Sequence, residues 1–224
     1  MAYLSYMAVD TYLSTPDQHL TTKAIPEEVV ILNRVDGSVS FQRMWDDYKS
    51  GFGNKEKNFW LGLDKVHQIT NARPYSLNVD FRPNLRQSLR SSYMNFSVGP
   101  ESDGYRLKVC CHDKRDHYRF YNGGDSLTAS DNMKFTTCDV DNDEWSGGNC
   151  ACSVQNAGWW FSNCGCALPT GIYRENGIIS PNGLYWCAAE TRYRDMYYSY
   201  IKMKFTLIPA ELTRDQFSND WSRK

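Results

Sequence analysis

Apolar and polar positions change rhythm along this chain, and each change predicts a different kind of element. The run Val29-Val30-Ile31-Leu32-Asn33-Arg34 is β-branched and apolar, and Asp36-Gly37 after it suits a hairpin turn before Val39-Ser40-Phe41. A strand, a turn and a second strand are expected there. Phe41, Met44, Trp45 and Tyr48 then recur at helical spacing, and Gly51-Phe52-Gly53 stops the helix. Phe59-Trp60-Leu61-Gly62-Leu63 resumes an apolar segment, and residues 64–70 read as a short helix.

From 75 to 107 the rhythm shortens towards alternation, as in Leu77-Asn78-Val79-Asp80-Phe81 and Tyr105-Arg106-Leu107-Lys108-Val109. These are expected to be half-buried antiparallel strands. After Leu127 about sixty residues rich in Gly, Asn, Asp and Cys show little period, and so long an irregular stretch in a compact domain needs staples. Disulfides plus a metal ion would supply them. Tyr200-Ile201-Lys202-Met203-Lys204-Phe205 alternates again and reads as a closing strand within 197–209. Residues 1–28 have no firm period and read as a lead-in, and 210–224 as a polar, frayed tail. No internal repeat or heptad series is present to encode an oligomer.

Composition narrows the class. The chain has 224 residues, enough for one large mixed domain or two small ones, and its 41% hydrophobic content can bury a core. With 15 Tyr and 7 Trp, strands and long loops are favoured over helical bundles. A formal net charge of -1 gives no global field to draw the chain onto nucleic acid or an anionic membrane surface. No apolar run is long enough to span a bilayer, so membrane insertion is not expected, and residues 1–13 lack the pattern of an export signal. Eight cysteines, six of them in the close pairs Cys110 and Cys111, Cys150 and Cys152, and Cys164 and Cys166, suit an oxidising compartment or a metal site. Asn95-Phe96-Ser97 is a glycan acceptor triplet, making Asn95 a candidate site in a secreted protein.

The chemistry concentrates in residues 139–148. Asp139-Val140-Asp141-Asn142-Asp143-Glu144 sets carboxylates at alternate positions before Trp145-Ser146-Gly147-Gly148. Calcium takes six to eight hard oxygens, so carboxylates together with carbonyls from a glycine-containing turn could cage it, whereas alone the motif reads as a solvated acidic turn. An EF-hand is disfavoured, because no Glu stands at the twelfth loop position and no helical pattern flanks it. Zinc on Cys150, Cys152, Cys164 and Cys166 is disfavoured because zinc knuckles use Cys-x-x-Cys turns. Cys110-Cys111-His112-Asp113, with His117 nearby, is the nearest approach to a nucleophile and base, but adjacent strand residues point to opposite faces, so a charged hairpin loop is favoured. No phosphate loop, dinucleotide fingerprint or His-Glu-x-x-His occurs, and catalysis is not expected.

The acidic run has ordered company. Asn149-Cys150-Ala151, Gly158-Trp159-Trp160-Phe161, Asn163-Cys164 and Gly171-Ile172-Tyr173 follow it. Asp36-Gly37-Ser38-Val39-Ser40-Phe41, Trp45-Asp46-Asp47-Tyr48-Lys49-Ser50-Gly51-Phe52-Gly53 and Phe59-Trp60-Leu61-Gly62-Leu63 precede it. In this order, across residues 29–209, the set resembles the fibrinogen C-terminal domain family.

That resemblance implies an α+β fold with an antiparallel sheet, short helices and a loop-rich calcium and ligand subdomain over about 128–195. It implies Ca2+ carboxylates at Asp141 and Asp143, with carbonyl ligands at Trp145 and Gly147 displaced by one extra residue before Cys150. It also implies a Cys150–Cys164 disulfide and a cis bond at Asn163-Cys164. The pocket beside the second cysteine binds acetyl groups of sugars in ficolin-like and tachylectin-like members, and peptide knobs in fibrinogen. Its wall would include Gln155, Asn163, Cys164, Gly165, Asn182 and Tyr185. Read from the residues alone, at least one of Trp159, Trp160 and Phe161 belongs to the core, and the other aromatic edges could line a binding wall. Two departures stand out. Lectin members commonly carry His where this chain has Gly165, whereas angiopoietins share the Cys-Gly and Trp-Trp-Phe pattern. The family's N-terminal cysteine pair is missing too, as in a divergent member or an incomplete chain. A second bridge, Cys152 to Cys166, is expected, with the others paired among Cys110, Cys111, Cys138 and Cys187. The expected function is a secreted, calcium-binding recognition domain for N-acetylated carbohydrate in innate immunity. The alternative is an extracellular protein-ligand module in adhesion or signalling.

Overall fold

The computed structural model describes residues 28–113, 121–153, 155, 157–188 and 196–212. The expected lead-in, His117 and most of the polar tail lie outside these. In chain order the strands and helices are β1 (Val29–Arg34), α1 (Trp45–Ser50), β2 (Phe52–Gly53), β3 (Phe59–Trp60), α2 (Leu63–Ala72), β4 (Tyr75–Asn84), β5 (Gln87–Val98) and β6 (Leu107–His112). There follow β7 (Tyr121–Asn122), α3 (Cys150–Ser153), β8 (Ala167–Leu168), β9 (Tyr185–Trp186) and β10 (Lys202–Pro209).

The long strands form where the sequence alternates. Leu77, Val79 and Phe81 of β4 are buried while Asn78 and Asp80 are half-exposed, so one face packs and the other meets solvent. Eight strands make one sheet in the order β2-β3-β1-β10-β4-β5-β6, antiparallel throughout, with short β7 beside β5 in parallel. The last strand closes the centre: Thr206 pairs with Val30 on one side and Asn78 on the other. The two ends of the described chain must therefore meet before the sheet is complete.

Two local expectations are corrected. Val39-Ser40-Phe41 forms no strand: the Asp36 carboxylate accepts the Ser38 N–H at 2.8 Å and also bonds the Asn58 amide, which holds the segment in a turn. The helix starts at Trp45 and not at Phe41, because Met44 is extended at ψ 175°, while the Tyr48 hydroxyl donates back to the Phe41 carbonyl at 2.7 Å. At the other end of α1, Gly51 at φ 96° lies so close to the Leu61 carbonyl that a Cβ would stand 2.4 Å from its oxygen. Only glycine lets these two backbones touch.

The irregular half is joined to the sheet by an aromatic cluster. Trp60 of β3 and Trp160 lie 6.2 Å apart, Phe135 meets Trp160 edge-on at 5.1 Å, and Tyr48 packs on Phe135 at 5.1 Å. Both indoles find carbonyls, Trp60 Nε1 on Tyr48 and Trp160 Nε1 on Tyr105, each at 2.8 Å. Trp159, Trp160 and Phe161 are all buried, which corrects the expectation that some of their edges line a wall. Arg34 at the end of β1 is buried as well. Its Nη1 donates to the Pro169 and Gly171 carbonyls at 3.0 and 2.9 Å, its guanidinium stacks 3.8 Å over Phe41, and burial lowers it to about 10.

Four disulfides use all eight cysteines: Cys110–Cys111, Cys138–Cys152, Cys150–Cys164 and Cys166–Cys187. The expected Cys152–Cys166 bridge is not formed. On α3, positions two apart face opposite sides, so Cys150 is buried towards Cys164 while Cys152 turns outward to Cys138. Cys166 instead meets Cys187, because Ala167 pairs with Trp186 and the next residues out along that ladder are these two. Bridges closing about 15 residues each remove roughly 3 kcal/mol of unfolded-state freedom in the chain-entropy account. That offsets the scarcity of regular structure after Leu127.

Candidate calcium loop and ligand pocket

The acidic run divides its carboxylates between two tasks. Asp139 turns away to α1, where Oδ1 accepts the Trp45 N–H at 3.0 Å and the Thr137 hydroxyl at 2.7 Å. It thus caps a helix some ninety residues earlier, a role that spacing could not signal. Asn142 anchors the loop inward, its amide donating to the Phe135 carbonyl at 2.9 Å. Asp141 and Asp143 are left beside each other, with the Asp143 N–H on Asp141 Oδ1 at 3.3 Å. Asp143 accepts the Trp145 N–H at 2.9 Å through Oδ1 and the Cys150 N–H at 2.8 Å through Oδ2.

Burial raises the Asp143 carboxyl above the ordinary aspartate range, the two N–H donors oppose that rise, and the Asp141 charge adds to it. Two like charges crowd one side of a loop with no cation among the described side chains to answer them. Among the described residues no three His, Cys, Asp or Glu side chains converge as a metal-holding group, so a cation here would take most of its oxygens from backbone and water. The Trp145 ring lies close against the turn: a Cβ at Gly147 would stand 2.7 Å from its Nε1, and one at Gly148 would stand 3.1 Å from the same ring, so the indole packs here on glycine backbone. Two carboxylates on a loop whose Ser146 and Gly147 are exposed fit a hard divalent ion.

The loop is tied to the neighbouring turn. Glu144 N–H donates to the Ser162 carbonyl at 2.9 Å, one residue before Asn163-Cys164. No cis peptide bond occurs among the described residues, which corrects the expected cis Asn163-Cys164. The chain reverses instead through positive φ at Cys164 (45°) and Gly165 (88°). A Cβ built on Gly165 meets nothing within 4 Å, so the position faces open space. Asn163 is exposed and Cys164 half-buried beside it.

Beyond the turn, β8 pairs with β9 and brings Tyr185 opposite Leu168. Tyr185 is buried, edge-on to Tyr197 at 5.3 Å, and burial is the largest cause raising its phenol. The Gln155 side chain lies against this hydroxyl, yet neither Gln155 Oε1 nor Tyr185 Oη has a hydrogen-bond partner of good geometry, although both are buried. Native structures leave few such atoms, and each calls for a reason. Asn182 is differently placed: its Oδ1 already accepts from Arg174 Nη2 at 3.1 Å and Ser180 Oγ at 2.8 Å, so it supports the loop.

The sequence matches the family described as "Fibrinogen beta and gamma chains, C-terminal globular domain" over residues 26–210. The chain belongs to the fibrinogen C-terminal domain family. It is 34% identical to the human fibrinogen gamma chain over 202 residues, covering 80% of this chain and 43% of that one. It is 40% identical to mouse angiopoietin-related protein 2 over 122 residues, covering 54% of this chain and 23% of that one. This fibrinogen-like chain therefore spans less than half the length of these relatives. Among solved structures it is similar to the fibrinogen-like globe domain of human ANGPTL2, with TM-score 0.74, 29% identity, and 92% and 98% of the two chains covered. Lamprey fibrin D-dimer, complexed with the peptide ligand Gly-His-Arg-Pro-amide, matches with TM-score 0.66 and 28% identity over 82% of this chain and 61% of that one. The fibrinogen-like globe fold, an antiparallel sheet with a few short helices, agrees with the α+β expectation.

Asp141, Asp143, Trp145 and Gly147 thus share one loop, Gln155 lies within the segment held by Cys150–Cys164, Tyr185 within that held by Cys166–Cys187, and Gly165 is the single residue between the two. Asn95 lies apart on β5, exposed, its Nδ2 on Cys110 Sγ at 3.3 Å. Sequence reasoning missed Arg34 and Asp139, which position the site from a distance. Their bonding partners are 135 and 94 residues away in the chain, so no local signal exists.

Replacing Tyr185 by Phe removes a buried hydroxyl without changing the ring. A satisfied hydroxyl would cost about 1 kcal/mol to delete, whereas deleting an unpartnered one should leave stability unchanged or slightly raised. Thermal unfolding of Tyr185→Phe measures this, and a loss above about 1 kcal/mol would show that the hydroxyl is bonded within the fold.

Proposed function

We propose that the domain is an extracellular, calcium-braced module that binds a protein segment. The observation that carries this reading is the pair of unpartnered buried atoms, Gln155 Oε1 and Tyr185 Oη, in the two disulfide-closed segments that flank the turn at Gly165, where a Cβ would meet nothing within 4 Å. A polypeptide supplies both N–H donors and carbonyl acceptors for such atoms, and Gly165 puts no imidazole over the opening. The similarities to angiopoietin-related proteins and the fibrinogen gamma chain, and to a chain of lamprey fibrin D-dimer solved in complex with a peptide ligand, support a protein ligand over the N-acetylated sugar. Secretion is supported by the use of all eight cysteines in disulfides, which persist in oxidising compartments. No described helix is long and apolar enough to cross a membrane. The role is binding, with Asp141 and Asp143 holding the ion together with the Trp145 and Gly147 carbonyls. The ion supplies positive charge that neutralises the carboxylate pair. The Glu144 to Ser162 hydrogen bond passes loop order on to the turn at Cys164.

The test is a peptide array of free N-terminal sequences run beside N-acetylglucosamine titration, each with calcium and with chelator. Calcium-dependent peptide signals that weaken at least tenfold in Tyr185→Phe are expected. Saturable binding of N-acetylglucosamine with a blank peptide array would return the domain to the lectins.

A further inference from the structure

Cys110 and Cys111 are neighbours in the chain and partners in a disulfide. A bridge between adjacent residues encloses no chain loop, so it removes almost none of the unfolded-state freedom through which the other three disulfides favour folding. Linkage makes this reciprocal: a disulfide that stabilises the fold is itself protected from reduction by the fold, and this one is not.

Its surroundings point the same way. The β5–β6 ladder pairs Asn95 with Cys110 and Tyr93 with His112, skipping Met94 and Cys111 between them. Cys111 takes a left-handed backbone conformation at φ 63°, which is unfavourable for a residue with a Cβ. Met94 and Cys111 are both exposed; of the other cysteines Cys150 is buried, Cys110, Cys138, Cys164, Cys166 and Cys187 are half-buried and Cys152 is exposed, so exposure leaves Cys111 open to attack while the missing chain loop sets its bridge apart. An attacking thiolate can reach Cys111, and opening the bond frees its backbone to rejoin the ladder.

We propose that Cys110–Cys111 is a thiol–disulfide exchange site whose substrates are dithiols, and that its redox state sets the pairing of β5 with β6 at Met94. One thiolate of the dithiol attacks Cys111 Sγ, the Cys110–Cys111 bond breaks, and Cys110 Sγ leaves as a thiolate that takes a proton. The second thiol of the reagent, as thiolate, then attacks its own sulfur in the mixed disulfide. Cys111 is released as a thiol, and the reagent leaves as its cyclic disulfide. Two electrons pass to the protein. The reverse reaction with a disulfide restores the bridge.

The full chain, kept native in calcium, would be titrated with dithiothreitol, alkylated and peptide-mapped, with amide hydrogen exchange followed in parallel. Cys110 and Cys111 are expected to be alkylated at ~tenfold lower reductant than any other cysteine, a separation of about 30 mV. Exchange at Met94 and Cys111 is expected to slow as the ladder closes. Alkylation of these two together with or after the others overturns the site, and unchanged exchange in the reduced form overturns the coupling to the ladder. The double variant Cys110→Ser, Cys111→Ser should show the slowed exchange without reductant and melt within about 2 °C of the parent, since no loop constraint is lost. A variant that unfolds would make the bridge structural and defeat the proposal.

Discussion

Calcium is expected to raise the melting temperature of the domain by roughly 5–10 °C when the free ion stands about a hundredfold above its Kd. An ion bound only by the folded chain stabilises by RT ln(1 + [L]/Kd), about 2.7 kcal/mol at that ratio. For a domain of this size each kcal/mol moves the midpoint by about 2–4 °C. The double substitution Asp141→Ala, Asp143→Ala should make the curves with calcium and with chelator coincide. It should also lower the calcium-free midpoint slightly, because Asp143 accepts the Trp145 and Cys150 N–H groups, and losing such a cap costs about 1 kcal/mol. A parent protein whose melting ignores calcium would remove the ion from this loop.

The sign of the pH dependence follows from Asp143. Its folded pKa is raised, first by burial, so without calcium its contribution favours folding below the ordinary aspartate range and is lost as pH climbs through the raised value. Glu101 and Asp103 run the other way. Hydrogen bonds from Lys49 and Arg106 pull them down, so their contributions are present above the ordinary carboxylate range and fade as pH falls through the lowered values. Both are exposed, so their effect is small. Calcium competes with the proton on Asp143. The stabilisation by calcium should therefore shrink on acidification, beginning above the ordinary aspartate pKa, as melting curves at matched calcium from pH 7 to pH 4 would record.

Legibility in the sequence followed the range of the interactions. β4 and the start of β10 were legible because burying one face of a strand imposes a period of two on neighbouring residues, and β1 because its run is β-branched and apolar. The start of α1 was not, since Phe41 keeps helical spacing while its backbone is extended and its carbonyl serves the Tyr48 hydroxyl. At the site, Asp141 and Asp143 could be named because a carboxylate run before a glycine turn is local chemistry. Asp139, in the same run, goes to a helix distant in sequence, and only the folded chain separates it from the other two. The Cys152–Cys166 expectation failed for the same reason. Spacing places those cysteines near each other, but the α3 turn and the β8–β9 register aim them at different partners.

Opening the Cys138–Cys152 bridge is the second substitution with a large expected effect. The bridge encloses residues 139–151, hence the whole carboxylate loop, and a closure of about 15 residues corresponds to about 3 kcal/mol. The double variant Cys138→Ser, Cys152→Ser should therefore melt roughly 6–12 °C below the parent in chelator. It should lose more in calcium, because Asp139 would hold α1 and Asp143 would hold α3 only through hydrogen bonds, with no covalent limit on the loop between them. Cys150–Cys164 stays intact in this variant and keeps the turn beside Gly165. Calcium stabilisation and peptide binding should consequently fall together if the ion braces the pocket through the Glu144 to Ser162 hydrogen bond. Retention of full peptide affinity with calcium stabilisation abolished would show that the pocket stands on its own disulfide and takes no support from the ion.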